Sequence, residues 1–501
     1  MKMIGRNLTA GLAVLVGMSM PAFAQEAAVT VVLGDEPATL DPCYTAARSN
    51  GLVALGNLYE GLTARDHDTG ALGEGLAVSW TDLDETSWQF TLRPGVTFHD
   101  GTAMTAQAVK HSIDRTLNAN LTCENRTKFF GDSSLDVEVV DEATIIIRTP
   151  ERDPTLPLKL SNLMVHSADV PMDAEVRSAP GTGPYRLDDW AAGQAVEMSA
   201  FADYWGGAPS VAKGTFIWRS ESSVRAAMIA QGEADLAPSV ASQDVTDEFG
   251  VAYPNAETIR LNLDQLKPPL DDRRVREAIN LGIDRQAMLG TVISKDASLA
   301  TQIIIPAIPG WSEDVRQWEY DPERARALLE EARADGVPVD AEIQLVGRIG
   351  HFPNAAEFHE VVKIMLNDIG LNVNLQWFEA AAKNRMQVKP FDEDRLPQII
   401  VDQHDNTSGD PVFSLPARWS SEGSQSKTSD ADLDRLMSEA SQATGADRVE
   451  KWKAVARKID EILPDAMMFH MVGYAAVGDR IDFTPTMFTN SSIALSKIEL
   501  K

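Results

Sequence analysis

The stretch that decides the fold begins at Ala341-Glu342-Ile343-Gln344-Leu345-Val346, which reads as a strand. Asn354 follows as a helix cap, with Glu357 three residues on completing a capping box. Phe358, Val361, Val362, Met365, Leu366 and Ile369 then recur at helical spacing until Gly370 stops the helix. Leu371, Val373, Leu375 and Trp377 alternate along one face of a second strand. A strand, a helix and a strand in succession predict parallel pairing through a right-handed crossover. A helical segment over 379–388 leads to a third strand, 397–402, completing an α/β lobe.

That order predicts where a ligand sits. In open α/β sheets, ligands gather beyond the carboxyl ends of the strands. Arg348 lies just past the first strand, and His404, Asp405 and Asn406 lie just past the third. A cation and an anion on one sheet edge suit a polar or zwitterionic ligand. Read from pattern alone, Arg348 and Asp405 serve equally well as ordinary loop charges or as each other's partner. Ser408-Gly409-Asp410-Pro411 continues as loop chemistry.

Working outward, residues 27–33 are β-rich, 51–62 read as a helix, and Trp88, Phe90 and Leu92 alternate in a strand closed by Pro94-Gly95. Thr105 is placed to cap a helix over 106–117. Residues 135–140 and 143–149 form a hairpin around Asp141-Glu142. Gly181-Thr182-Gly183-Pro184-Tyr185 is a glycine-rich turn entering a strand, better suited to close backbone approach than to phosphate binding. A strand at 215–218 and a helix over 222–231, capped by Ser222 and ended by Gly232, follow. Asp321-Pro322 opens a helix with Ala325, Leu328, Leu329 and Ala332 as its buried stripe. Residues 430–443 and 447–461 read as two further helices, and the last ~25 residues as short β-like runs that return to an earlier sheet. Trp205, Trp311, Trp377 and Trp419 lie near loops where aromatics line clefts, although lobe packing is the commoner use.

Composition bounds the function. The 501 residues carry 45 basic and 74 acidic side chains, a net charge of −29, which repels phosphate backbones and argues against nucleic-acid binding. Lys2 and Arg6, an apolar run from Leu8 to Met20, and Ala22-Phe23-Ala24 read as an export signal cleaved after Ala24; the run is too short to span a bilayer. The chain is therefore expected in an oxidising compartment outside the cytoplasm. Its two cysteines, Cys43 and Cys123, are there expected to form a disulfide. No CxxC, HExxH, GxSxG or Walker pattern occurs, so the residues call for no metal, no cofactor and no catalytic nucleophile.

Several stretches together resemble the extracellular solute-binding proteins of the dipeptide/oligopeptide type, family 5. They are Leu58-Tyr59-Glu60-Gly61-Leu62, Trp88 to Val96 with Phe98-His99-Asp100-Gly101-Thr102, Gly181 to Tyr185, Asp203-Tyr204-Trp205, Leu261-Asn262, and Pro269-Leu270-Asp271-Asp272 with Arg274-Val275-Arg276. Asp284-Arg285 and Tyr320-Asp321-Pro322 also fit, so the match runs in order from about 30 to 500. The resemblance implies an α/β, two-lobed periplasmic binding protein with an extra subdomain in the first lobe. The expected layout is a first lobe over 25–260, with the subdomain at about 48–178, a second α/β lobe over 261–475, and a return to the first lobe over 476–501. It implies a non-enzymatic, monomeric periplasmic receptor that closes on a small peptide or peptide-like solute and delivers it to the membrane permease subunits of an ABC importer. By the same resemblance Arg348 looks like the arginine that receives a ligand carboxylate, and Asp405 like the aspartate that receives an amino group. His404, Asn406, Gly183 and Tyr44 complete the expected ligand-binding set. The loop departs from the family pattern by two extra residues, Thr407 and Ser408, with His404 as an additional cation, which leaves a non-peptide ligand such as an opine, sugar or metal complex as the alternative. A secreted hydrolase and a binder of unfolded chains are the readings from other classes.

Overall fold

The computed structural model describes residues 27–349, 351–352 and 354–501. The export signal lies outside the described residues. Glu342–Arg348 sits between Asn372–Phe378 and Gln398–Asp405, parallel to both, as the strand–helix–strand pattern requires. The intervening helix, Ala355–Asp368, buries Phe358, Val362 and Leu366 against Ile343, Leu345, Val373 and Ile399. Phe358 is fully enclosed, and truncating such a ring to alanine costs ~3–5 kcal/mol.

These strands form one end of an eleven-stranded mixed sheet. Two long strands, Gly250–Leu263 and Asp465–Val477, occupy its middle and pair antiparallel with each other. Residues 257–263 of the first also pair with Gln398–Asp405, and Leu236–Val240 pairs with the second. Beyond Leu236–Val240 come Ala28–Leu33, Lys213–Trp218, Ala195–Ala200 and Tyr185–Ala191. The middle strands thus carry the chain between two lobes. Their pairing slips between Pro254 and Thr258, where Ala256 adopts φ 61°.

In the first long strand alternation is confined to Ile259, Leu261 and Leu263, beyond the interruption at Pro254. The second, with residues buried on both faces, is a near-continuous apolar run broken by His470 and Gly473. A separate antiparallel sheet of Ala77–Asp82, Ser87–Leu92, Thr144–Arg148 and Asp136–Asp141 packs on helix Ala106–Leu117. Phe90, Ile145, Ile147, Val109 and Ile113 form its core. Thr105 caps that helix, accepting from the Ala108 N–H at 3.3 Å. Cys43 and Cys123 are disulfide-bonded with Cα atoms 4.9 Å apart.

Several local expectations differ. The third strand runs on to Asp405, so His404 and Asp405 lie within its end, and in the tail Ile481–Asp482 and Glu499–Leu500 pair with each other rather than with an earlier sheet. The helix expected over 51–62 spans Arg48–Ala54 and ends at an extended Leu55. The segment after it is drawn out by backbone bonds, Gly183 N–H to Leu58 O and Tyr185 N–H to Asn57 O. Ser222 does not cap its helix; its hydroxyl instead accepts from the Ala241 N–H at 2.7 Å, because the following strand passes within reach. Asn354 precedes its helix with φ 58° and makes no capping bond, so the capping box is not formed. Among the described residues no helix is long and apolar enough to cross a membrane.

Candidate ligand cleft

The second lobe presents its lip through residues 404–414, and that lip is firmly held. Asp410 accepts from Arg448 Nη2 at 2.6 Å and Nε at 2.8 Å, a buried fork-to-fork pair. Asn406 Nδ2 donates to Ala256 O and Ile303 O at 3.0 and 3.2 Å, tying the loop to the strand that crosses between lobes. Beneath it, Asp402 accepts from Arg260, Lys383 and Arg418, each at 2.9 Å. Burial pushes the Asp402 carboxyl up, but Arg418, Arg260 and Lys383 together hold it well below the usual carboxylate range.

The first lobe supplies the facing wall. Glu60 accepts from Thr182 Oγ1 at 2.9 Å, Tyr204 Oη at 2.9 Å and Trp205 Nε1 at 3.0 Å. Burial raises its carboxyl, and those three donors oppose the rise. Arg93 stacks over Trp205 at 4.1 Å. The turn Arg126–Phe130 and the short hairpin Thr63–Arg65 with Leu72–Glu74 complete this wall. Contacts between the lobes include Phe129 packed edge-on against Phe413 at 6.1 Å, Lys128 4.0 Å from Asp405, and Arg65 Nη1 donating to the Thr407 carbonyl.

Between these walls lies a cavity of about 390 Å³. That is within the ~300–1,000 Å³ usual for small-ligand sites. Tyr59, Phe129, Trp205 and Phe488 supply aromatic surface; Arg65 and Lys128 supply positive charge, and Glu60 and Glu74 negative. Such a lining suits a small solute bearing both charges and some apolar surface. Among the described residues no cluster of three or more His, Cys, Asp or Glu side chains is placed to hold a metal.

Residues 71–426 match the model of the bacterial extracellular solute-binding proteins, family 5 (middle region). The chain belongs to this family. Among curated relatives, the glutathione-binding protein GsiB of Salmonella typhi is 31% identical over 331 residues, and that of Escherichia coli K12 is 30% identical over 328. Each alignment spans 61% of this chain and 61% of the relative. Among solved structures, HbpA2 from Haemophilus parasuis superposes with a TM-score of 0.84 at 20% identity, covering 95% of this chain and 100% of that one. The periplasmic binding protein DppA from Helicobacter pylori, in complex with the peptide STSA, gives 0.73 at 19% identity over 94% and 98%. The fold is therefore the two-lobed periplasmic binding architecture of family 5.

Within this family 5 fold, the residues expected at the site fall in distinct places. Asp405 is exposed, accepts from Thr407 N and Oγ1 at 2.8 Å each, and faces Lys128 rather than Arg348. Arg348 is half-buried at the end of its strand and donates to the His351 carbonyl at 3.3 Å. His404 is not an added cation: burial, with Arg418 and Arg260 close by, drives its pKa well below the ordinary value and leaves it neutral. Gly183 packs against Asn57, where a Cβ would meet the Asn57 carbonyl oxygen at 2.2 Å, so its role is the close backbone approach. Tyr44 hydrogen-bonds Glu175 beside the disulfide. Thr45, Pro184, Thr407 and Ser408 border the cavity, each within a few residues of an expected position. Of the four tryptophans, Trp205 lines the cavity, while Trp419 is buried and donates to Asp465 at 2.8 Å.

Glu60, Arg65, Lys128 and Phe488 were not legible as site residues. Glu60, Tyr204 and Trp205 do lie in stretches that carry the family resemblance, and Trp205 also sits beside a loop where aromatics line clefts.

Proposed function

We propose that this chain is an exported receptor that captures a small peptide or peptide-like solute between its lobes and hands it to the permease subunits of an ABC importer. The observation that carries the reading is the cavity at the lobe junction, walled by Glu60, Trp205 and Phe129 on one side and by Thr407 and Ser408 on the other. Lobes joined by two strands can hinge, and closing on a solute removes both from water. The glutathione-binding relatives and the peptide-bound structural neighbour support a peptide-like ligand. In this reading the chain acts as a monomer without enzymatic activity, in the periplasm, after cleavage behind Ala24. The first lobe covers about 25–260, the second 261–475, and the tail from 476 returns to the first. Arg348 and Asp405 serve on the second-lobe side, for an anionic and a cationic group of the ligand.

A thermal-shift screen of ligand-stripped protein tests it, with glutathione, short peptides, amino-acid derivatives, sugars and nickel complexes as probes. A probe at about 100 times its dissociation constant stabilises by ~2.7 kcal/mol. Peptide-like probes are expected to give the shift. Silence from every class refutes the receptor reading, and a shift from sugars or metal complexes alone refutes the ligand class.

A further inference from the structure

The cavity wall holds a cation whose charge the protein leaves unmatched. Arg65 ends the strand Thr63–Arg65, on the hairpin that forms the first lobe's lip. Its Nε donates to Gly70 O at 3.1 Å, its Nη1 donates to the Thr407 carbonyl of the other lobe, and its guanidinium lies 4.7 Å over the Phe488 ring. Nη2 has no acceptor, and no carboxylate lies within ion-pair distance, among the described residues. Arg65 is half-buried, and carbonyl oxygens satisfy N–H groups without neutralising a charge partly withdrawn from water. Burial lowers the Arg65 pKa to about 10, against an opposing pull from Asp405. Arginine keeps its proton there.

The other cations bordering the cavity are differently placed. Lys128 has Asp405 at 4.0 Å, and Lys497 is exposed to water. The second lobe is also shaped to the guanidinium. Gly409 has φ 84°, a conformation that favours glycine, and it lies against the guanidinium: a Cβ there would stand 2.6 Å from Arg65 Cζ and push the side chain aside.

Resting on the receptor reading above, we propose that Arg65 is the first-lobe receptor for a ligand carboxylate and that it couples carboxylate capture to lobe closure. The same guanidinium bridges to Thr407 through Nη1 and presents Nη2 to the anion. A carboxylate would supply the missing countercharge beside the point where the same guanidinium holds Thr407 of the other lobe, so an anionic ligand adds to the closed arrangement.

Calorimetric titration of wild type, Arg65→Gln, Arg65→Lys and Lys128→Gln decides the matter. The probes are glutathione and trialanine as free acids, glutathione diethyl ester and trialanine amide. Arg65→Gln is expected to weaken the free acids about 10- to 100-fold while changing the ester and amide less than about threefold. Arg65→Lys is expected to recover part of the loss, since an ammonium lacks the fork. Ligand-free melting curves confirm that each variant is folded, and Arg65→Lys supplies the comparison if Arg65→Gln is not. Equal weakening of acids and neutral forms makes Arg65 a lobe latch only and overturns the proposal. So does unchanged affinity, or a loss confined to Lys128→Gln. Failure of the wild type to bind any of these probes overturns the peptide-receptor reading itself, and this inference with it.

Discussion

Replacing Asp402 with asparagine removes one negative charge from a point where three cations converge. Arg260 Nη2, Arg418 Nη1 and Lys383 Nζ each lie 2.9 Å from the carboxylate, and the Arg260 and Lys383 side chains are 3% exposed. Arg260 keeps Asp465 at 2.6 Å. Arg418 keeps the Gln425 amide oxygen at 3.1 Å, and Lys383 keeps no partner among the described residues. Taking one partner from a buried ion pair costs ~3–5 kcal/mol. Because Arg260 stays paired and Arg418 is 15% exposed, the lower end, ~3 kcal/mol, is expected near pH 7. Adding Lys383→Met removes the stranded cation, so the double variant is expected to regain ~1–2 kcal/mol over Asp402→Asn alone. The folded pKa of Asp402 lies below the unfolded value of ~3.9, so its contribution is complete above that pH and disappears as pH falls through the folded value. The gap between wild type and Asp402→Asn is therefore expected to stay level from about pH 5 to 7 and to close on further acidification. Urea unfolding of ligand-free protein at several pH values measures this, with the slope m checked for constancy. A loss under ~1 kcal/mol, or no recovery from Lys383→Met, would refute the argument that uncompensated charge dominates here.

Arg348→Ala is expected to cost ~2–5 kcal/mol of binding to whichever probe binds the wild type, mainly through a faster off-rate. It should leave ligand-free melting unchanged, because among the described residues Arg348 bonds only the His351 carbonyl; a lowered melting temperature with unchanged affinity removes it from the site. Glu257 faces Asp405 directly across paired strands, and burial first, then Asp405, push its carboxyl up to about 7. The folded state thus holds this proton more tightly than the unfolded chain, whose glutamate titrates near ~4.3, so stability falls as pH rises through that window and levels off above it. Glu257→Gln is expected to flatten that part of the profile, and an unchanged slope counts against the assignment. Thiol titration of unfolded, unreduced protein is expected to find no free cysteine. Reduction of Cys43–Cys123, which closes an 80-residue separation, is expected to cost ~4 kcal/mol in urea unfolding.

The chain's local chemistry was enough to set the strand–helix–strand unit of the second lobe. The spacing of Phe358, Val362 and Leu366, and the alternation of Val373 and Leu375, encode their burial within a dozen residues of one another. The same holds for Thr105 capping its helix and for the parallel placement that puts Arg348 and Asp405 at strand ends. The two crossing strands carry less of a record: only Ile259, Leu261 and Leu263 alternate, at the end of the first. Gly250–Leu263 and Asp465–Val477 are defined by each other, across some two hundred residues, and sequence periodicity reports only which face meets solvent. The cavity is the extreme case. Arg65, Lys128, Thr407 and Phe488 meet because four separate segments fold onto one junction. Nothing near Arg65 in the chain announces that Thr407 will accept its proton donor or that Gly409 will make room for it. Partial burial is what leaves the Arg65 charge without a carboxylate partner at the junction, and full burial is what turns His404 from a cation into a neutral ring. Burial is a property of the packed lobes, fixed by contacts between residues far apart in sequence.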